Sequence, residues 1–344
     1  MTPSRFPFPA FPNGWYYVCL SRELATGALI HRHILGQELV IYRTASGKAV
    51  AADAHCPHMG AHFGHGGEVV GEDLQCPFHH FRFDPDGACT HTPYGKALPQ
   101  AHMRTHPLQE LCGLILIWHH ADGREPDWSP PEFETEGWSR IAMHTWTGLR
   151  SHPQETTENS VDLGHLSAVH GYESLEIAAP LRTEGPYLTS TYRMVTPRKV
   201  FPGVTVRLKT EFVVHAHGLG YSTVEVRPEG AGFEARHFVF PTPTDGEHIN
   251  LTVGILLRGL PESTGLARCV SALPTPLLER LLLPVMMREY THDVSQDFRI
   301  WQNKSYIHPP ALAVGDGPVF PYRRWARQFY EGIPTREASS LLST

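Results

Sequence analysis

Apolar positions in the first third of the chain come in short runs cut by turn signals. Residues 15–19, 29–35, 38–42 and 49–54 read as strands, split by the turns Ala25-Thr26-Gly27, Leu35-Gly36-Gln37 and Ser46-Gly47-Lys48. Residues 82–84 lead into the turn Pro85-Asp86-Gly87, and 114–118 form a last apolar strand. This pattern predicts a small antiparallel β domain over 13–122. Residues 121–136 are polar and proline-rich and read as a linker. A helix-like stretch follows over 154–170, then successive strands over 187–195, 204–215, 220–226, 235–241 and 249–257. Residues 276–302 carry apolar side chains at helical spacing after Pro274-Thr275-Pro276, which predicts one long helix. The expected fold class is α+β. An antiparallel β domain precedes a second domain, 138–344, of antiparallel sheet covered by long helices.

Bulk properties narrow the function. The chain has 344 residues, enough for two cores, and 41% of them are hydrophobic. Its net charge is −6, so no general affinity for nucleic acid or an anionic membrane is implied. No apolar run reaches the length of a membrane span, and the N-terminal stretch lacks the continuous apolar core of a secretory signal. Six cysteines are scattered without a disulfide framework, which fits reduced thiols in the cytoplasm. The 23 histidines are unusually many, and some are expected to be ligands.

Two short loops concentrate that chemistry. Cys56-Pro57-His58 and Cys76-Pro77-Phe78-His79 give the spacing C-x-H-x17-C-x2-H. Two thiolates and two imidazoles can hold a [2Fe–2S] cluster, with Cys56 and Cys76 on one iron and His58 and His79 on the other. Neutral imidazoles raise the cluster's potential above that of an all-cysteine centre. Proline stiffens both loops, and Gly60, Gly64, Gly66 and Gly67 permit tight turns. Zinc also accepts two Cys and two His, but its spacing usually groups like with like. Mixed pairs suit a cluster with one all-histidine iron.

A second constellation lies downstream. Asn159, Asp162, His165 and His170 read N-x2-D-x2-H-x4-H. Two histidines and a carboxylate on one side of an iron leave positions open for O2 and substrate. The five-residue spacing of His165 and His170 does not suit a straight helix, so a break or end is expected between Gly164 and Gly171. Asp162 can orient His165 from its place three residues earlier. The carboxylate is expected from the C-terminal helix, with Asp293 and Asp297 both eligible by spacing. The apolar stretches 277–287 and 251–257 read as core or as walls of a hydrophobic pocket.

Together the two motifs resemble the oxygenase component of the Rieske non-haem iron oxygenases. The segments 296–304, 315–318 and 322–330 resemble one subgroup, which includes the 3-ketosteroid 9α-hydroxylase oxygenase and the cholesterol 7-desaturases. The resemblance implies a Rieske domain followed by a helix-grip catalytic domain with a mononuclear Fe(II), and it places the metal carboxylate at Asp297. It also implies a ring-shaped homotrimer, in which electrons pass from a neighbour's cluster through His79 and the bridging Asp162 to His165. A flavin or iron–sulfur reductase or ferredoxin would supply them from NAD(P)H. The implied reaction is O2-dependent hydroxylation or desaturation of a hydrophobic polycyclic substrate such as a sterol or steroid. Oxidative N- or O-demethylation of a small heterocycle is an alternative, as is a Rieske electron carrier without oxygenase activity. Many relatives carry Gly-Trp or Asp-Trp after the second ligand pair, whereas this chain has His80-Phe81.

Overall fold

The computed structural model describes residues 5–201, 204–260 and 267–330; the last part of the expected second domain, 331–344, lies outside the described residues. Eleven short strands build the N-terminal region. They are β1 (Gly14–Leu20), β2 (Leu29–Ile34), β3 (Gln37–Arg43), β4 (Ala49–Asp53), β5 (Glu68–Val70), β6 (Asp73–Gln75), β7 (Arg82–Phe83), β8 (Cys89–His91), β9 (Thr105–His106), β10 (Leu108–Leu111) and β11 (Leu114–His119). All pair antiparallel, in sheets ordered β1-β11-β10, β2-β3-β4-β9 and β5-β6-β7-β8. The two Cys/His loops leave β4 and β6. Their bases are anchored in a core with Val40, Phe63, Leu74, Phe81 and Phe83, which also buries Cys56 and Cys76.

The second region is one seven-stranded antiparallel sheet. Its strands are β12 (Ala142–Arg150), β13 (Glu173–Glu184), β14 (Tyr187–Phe201), β15 (Val204–His217), β16 (Ser222–Pro228), β17 (Phe233–Pro243) and β18 (His248–Gly259), in the order β12-β18-β17-β16-β15-β14-β13. Two helices, α1 (Pro153–Glu158) and α2 (Leu163–Ala168), leave β12 before the meander begins. Five more follow it: α3 (Ala267–Ser271), α4 (Thr275–Leu281), α5 (Leu283–Ser295), α6 (Phe298–Trp301) and α7 (Val319–Ala326).

Alternation along β17 joins the two regions. Phe238 and Phe240 face one way and pack with Trp15, Tyr17 and Trp118. Ala235 and Val239 face the other way, into clusters shared with α5 and α6. The stretch 251–257 belongs to this core, with Leu251, Val253 and Ile255 fully buried. The expected linker is irregular but not merely polar. Trp128 and Phe133 pack against the shared core, and the Trp128 carbonyl accepts from Trp15 Nε1 at 2.8 Å.

Three sequence expectations change. The long helix over 276–302 is interrupted at Leu282 and at 296–297, giving α4, α5 and α6. Pro284 has no N–H to donate to the Arg280 carbonyl, which accounts for the first interruption. The stretch 154–170 is two helices, because Asp162 caps a new helix rather than continuing the old one. Strand β13 was not anticipated. It is charged, bulged and at the sheet edge, where Pro180 removes no ladder bond the fold needs.

A buried ion pair ties α1 to α7. Arg323 Nε and Nη2 donate to Glu158 Oε2 and Oε1 at 2.6 and 2.7 Å, with both side chains under 10% exposed. Glu158→Ala leaves an uncompensated guanidinium and is expected to cost about 3–5 kcal/mol, read from denaturant melts. Burial pushes His152 and His217 down to about 3, from an ordinary value of 6.5. The unfolded chain therefore binds protons first as the pH falls. Stability is expected to hold above about pH 6.5 and to decline below it, by roughly 1.4 kcal/mol per pH unit for each histidine. Urea unfolding at pH 7 and pH 5 checks this.

Candidate metal centres

The two Cys/His loops are tight turns closed by the backbone. Cys56 N–H donates to the Ala61 carbonyl at 2.9 Å, and Cys76 N–H to the Phe81 carbonyl at 2.8 Å. A side chain at Gly67 would meet the Phe63 carbonyl at 2.4 Å, so only glycine lets the first loop close. His58 stacks on Phe81 at 4.1 Å, and its ring lies 4.9 Å from that of His79. Burial pushes the Cys56 thiol up to about 12, and the Cys76 thiol beside it adds to this. Nδ1 of His79 is buried with no hydrogen-bond partner. An orphaned, buried imidazole nitrogen is costly in a plain core, although two protonated thiols are not. Together they suit a cluster that would take the thiolates and the imidazoles as ligands.

His80 closes the second loop in the left-handed region, at φ 56°, and its N–H donates to the Cys76 carbonyl at 3.1 Å. This conformation favours glycine, so His80 carries backbone strain for a place beside the cluster loop. Phe78 and Met59 are exposed on the same loops, at 59% and 66%.

The second site forms where α2 meets the joint between α5 and α6. One nitrogen each of His165 and His170 and one oxygen of Asp297 all lie within 4.8 Å of one another. The helix bearing His165 ends at Ala168, so His170 leaves the helical track and comes to lie beside His165, and Gly171, at φ 68°, then turns the chain toward β13. Asp297 sits at the α5–α6 joint and is 6% exposed. Its Oδ2 lies 3.6 Å from His170 Nε2.

The surrounding hydrogen bonds fix both rings. The Asp162 backbone carbonyl is bonded to Nδ1 of His165, and the Gln296 side-chain oxygen to Nδ1 of His170 at 2.9 Å. Nε2 of each ring is thereby turned toward the shared space. Burial pushes His165 down to about 4, with His170 adding to it, so His165 is neutral near pH 7. Burial pushes Asp297 up to about 6, against the pull of His170 and a hydrogen bond from the Asn159 side chain. A buried carboxylate facing two imidazoles is the donor set expected around a divalent iron.

The structure thus brings together His165, His170 and Asp297, with Asn159 on Asp297. Asp162 orients His165 through its carbonyl, whereas its carboxylate caps α2 by accepting from the His165 N–H at 3.2 Å. Asp293, the rival carboxylate, instead accepts from the Tyr172 hydroxyl at 2.9 Å. Gln296 was not foreseen, and its only sequence signal is its position beside Asp297. A surface cleft of about 410 Å³, lined by Thr183, Arg324 and Trp325 among others, includes none of these residues.

Comparison with known proteins sharpens this picture. The family model for the 3-ketosteroid 9α-hydroxylase C-terminal domain matches residues 117–330, and that for the Rieske [2Fe–2S] domain matches 14–102. The chain is a Rieske oxygenase of the 3-ketosteroid 9α-hydroxylase family. It is 31% identical to a cholesterol 7-desaturase of Xenopus laevis, across 94% of this chain and 72% of the relative. It is 29% identical to a probable 3-ketosteroid-9-alpha-monooxygenase oxygenase component of Rhodococcus rhodochrous, across 95% and 82%. The crystal structure of dicamba monooxygenase bound to dicamba shares the fold, with a TM-score of 0.68 at 18% identity over 93% of this chain and 97% of that one. This oxygenase is therefore an iron-dependent oxidoreductase and a terminal oxygenase, with a Rieske cluster domain and a non-haem iron domain. Among the described residues no helix is long and apolar enough to cross a membrane.

Gln296→Ala frees the His170 ring without removing a candidate ligand. It is expected to lower iron affinity roughly 10–100-fold while leaving the visible spectrum of the Rieske cluster intact. Iron titration of the variant, followed by metal analysis, checks this.

Proposed function

We propose that this oxygenase carries out O2-dependent hydroxylation or desaturation of a hydrophobic polycyclic substrate such as a sterol or steroid. One observation carries the reading: half-buried His165 and His170 converge with buried Asp297, with both Nδ1 atoms held by protein acceptors. An electron carrier has no use for this set. In this proposal Cys56, His58, Cys76 and His79 hold the [2Fe–2S] cluster, and His165, His170 and Asp297 hold the mononuclear iron. The iron would supply O2 activation at positions the three protein ligands leave open. Kinship with cholesterol 7-desaturases and a 3-ketosteroid-9-alpha-monooxygenase supports the substrate class.

The chain's own residues hold that site in place and keep it dry. Leu163, Tyr172, Tyr192, Met194 and Val214 pack into one apolar cluster on the α2 side of the sheet, and Val226, Ala235, Ile255 and Leu283 into another beneath α5. Asn159 and Gln296 hold the carboxylate and the second imidazole in their working orientation. The proposal includes domains over 13–122 and 138–344, and electrons from NAD(P)H through a separate flavin or iron–sulfur reductase or a ferredoxin. The Rhodococcus relative is itself named an oxygenase component, which supports a separate electron donor. The assembly proposed is a homotrimer, with Asp162 bridging a neighbour's His79 to His165. The cytoplasm is the proposed compartment.

The test is electron paramagnetic resonance of the reduced protein with nitric oxide, with and without sterols, steroids and aromatic heterocycles. A ferrous-nitrosyl signal that changes only with sterols or steroids is expected. Response to heterocycles alone, with formaldehyde released on turnover, would replace the reading with demethylation. Asp162→Asn is expected to keep both metals and lose most turnover. Near-normal turnover in the iron-loaded variant would remove Asp162 from the electron path.

A further inference from the structure

The helices α4 and α5 are apolar on two sides. Leu278 and Leu283 point inward and are buried, the latter in the core beneath β16, β17 and β18. Leu277, Leu281 and Val285 recur every four residues on the outside and are 38%, 52% and 56% exposed. The hydrogen bonds from Leu282 N–H to Leu278 and from Met286 N–H to Leu282 carry the helical path across the joint, so these side chains share one face. Pro284 lies exposed among them. A helix with apolar residues on both sides is normally covered on both sides. Among the described residues only one side is.

Charge identifies the cover. Arg280 and Arg288 are exposed within the apolar face, and Arg268 is exposed on α3 close by. Between residues 268 and 292 three exposed arginines stand against two glutamates, Glu279 and Glu289, both only half-exposed. Glu279 is turned away to Arg140, accepting from its N–H at 2.7 Å and lying 3.6 Å from its Nε. This is a local reversal in a chain of net charge −6. A second copy laid face to face on this surface by a twofold would set arginines against arginines, which disfavours twofold pairing here. Alternating aliphatic and cationic side chains on one helix face match a bilayer surface, with aliphatic groups in the acyl boundary and guanidinium groups at lipid phosphates.

We propose that the outer face of α4–α5, formed by Leu277, Arg280, Leu281, Pro284, Val285 and Arg288, docks reversibly on an anionic phospholipid surface. It does so without crossing the bilayer. The benefit to the enzyme, taking a lipid-dissolved substrate directly from the membrane, rests on the sterol reading above; the docking itself does not. The inner side of the same helices forms part of the core beneath α5, so the face lies over the domain that carries the iron-site residues.

Co-sedimentation of the metal-loaded full chain tests this, using vesicles of phosphatidylcholine alone or mixed with phosphatidylserine. Binding to the mixed vesicles is expected to be at least about tenfold tighter than to the neutral ones and to weaken with salt. Leu281→Ser with Val285→Ser, and separately Arg280→Glu with Arg288→Glu, are each expected to lose about tenfold or more of that binding. Both pairs should retain the wild-type Rieske spectrum and ferrous-nitrosyl signal, because these side chains face solvent. No sedimentation of the wild type with mixed vesicles, or equal sedimentation of both variants, overturns the proposal. Binding of an acidic ferredoxin that the arginine variant loses, without vesicle binding, also overturns it and assigns the face to a protein partner. Sterol turnover without vesicle binding overturns the docking alone, and vesicle binding without any sterol response overturns the substrate reading alone.

Discussion

The structure depends on the centre of a sheet, at β17 and β18, that must be buried on both faces. Strand β17 shows the constraint most directly: Phe238 and Phe240 fill the contact with Trp15 and Tyr17, while Ala235 and Val239 fill the contact with the helices. Neither face can be left wet without exposing large apolar groups. Thr242 Oγ1 donates to the Tyr17 carbonyl, and Leu35 and Gly36 N–H groups donate to the carbonyls of Pro243 and Thr244. The cluster region and the iron region are thus joined through one sheet.

Both candidate metal centres lie where regular structure stops. The Cys/His loops leave short strands of a small sheet, and Asp297 occupies the joint between two helices. A joint lets one residue turn a carboxylate inward without sacrificing a whole turn of helix. The same logic holds at α2, whose end at Ala168 lets His170 come back beside His165. The orphaned His79 nitrogen and the Asp297 carboxyl would be unfavourable in an apolar core. The two thiols, the orphaned His79 nitrogen and the raised Asp297 carboxyl share one physical cause, which is burial ahead of any protein partner.

The chain's relatives differ in what their names say they act on, from cholesterol to a 3-ketosteroid. Discrimination among such substrates rests on the shape of an apolar space, where one methylene is worth only about 1–3 kcal/mol. The exposed face of α4–α5 adds a separate level of selection, by where the enzyme sits rather than by what its pocket fits.

The candidate ligands were legible in the sequence because chelation calls for rigid local spacing. Cys56-Pro57-His58 and Cys76-Pro77-Phe78-His79 are each contained in a few residues, and His165 and His170 are separated by too few to hide. The strands of the meander were legible for a similar local reason, since alternation and turn residues are nearest-neighbour properties. Tertiary structure decided what distant segments do to one another. Asp297 is 127 residues after His170, and spacing left it level with Asp293 until Tyr172 took one carboxylate and the imidazoles took the other. Gln296 and the carbonyl of Asp162 carry no signal of their own, because a hydrogen bond across the fold needs only a polar atom in the right place. The edge strand β13 and the breaks flanking α5 were set by sheet position and by helix packing on the sheet, which local periodicity does not contain.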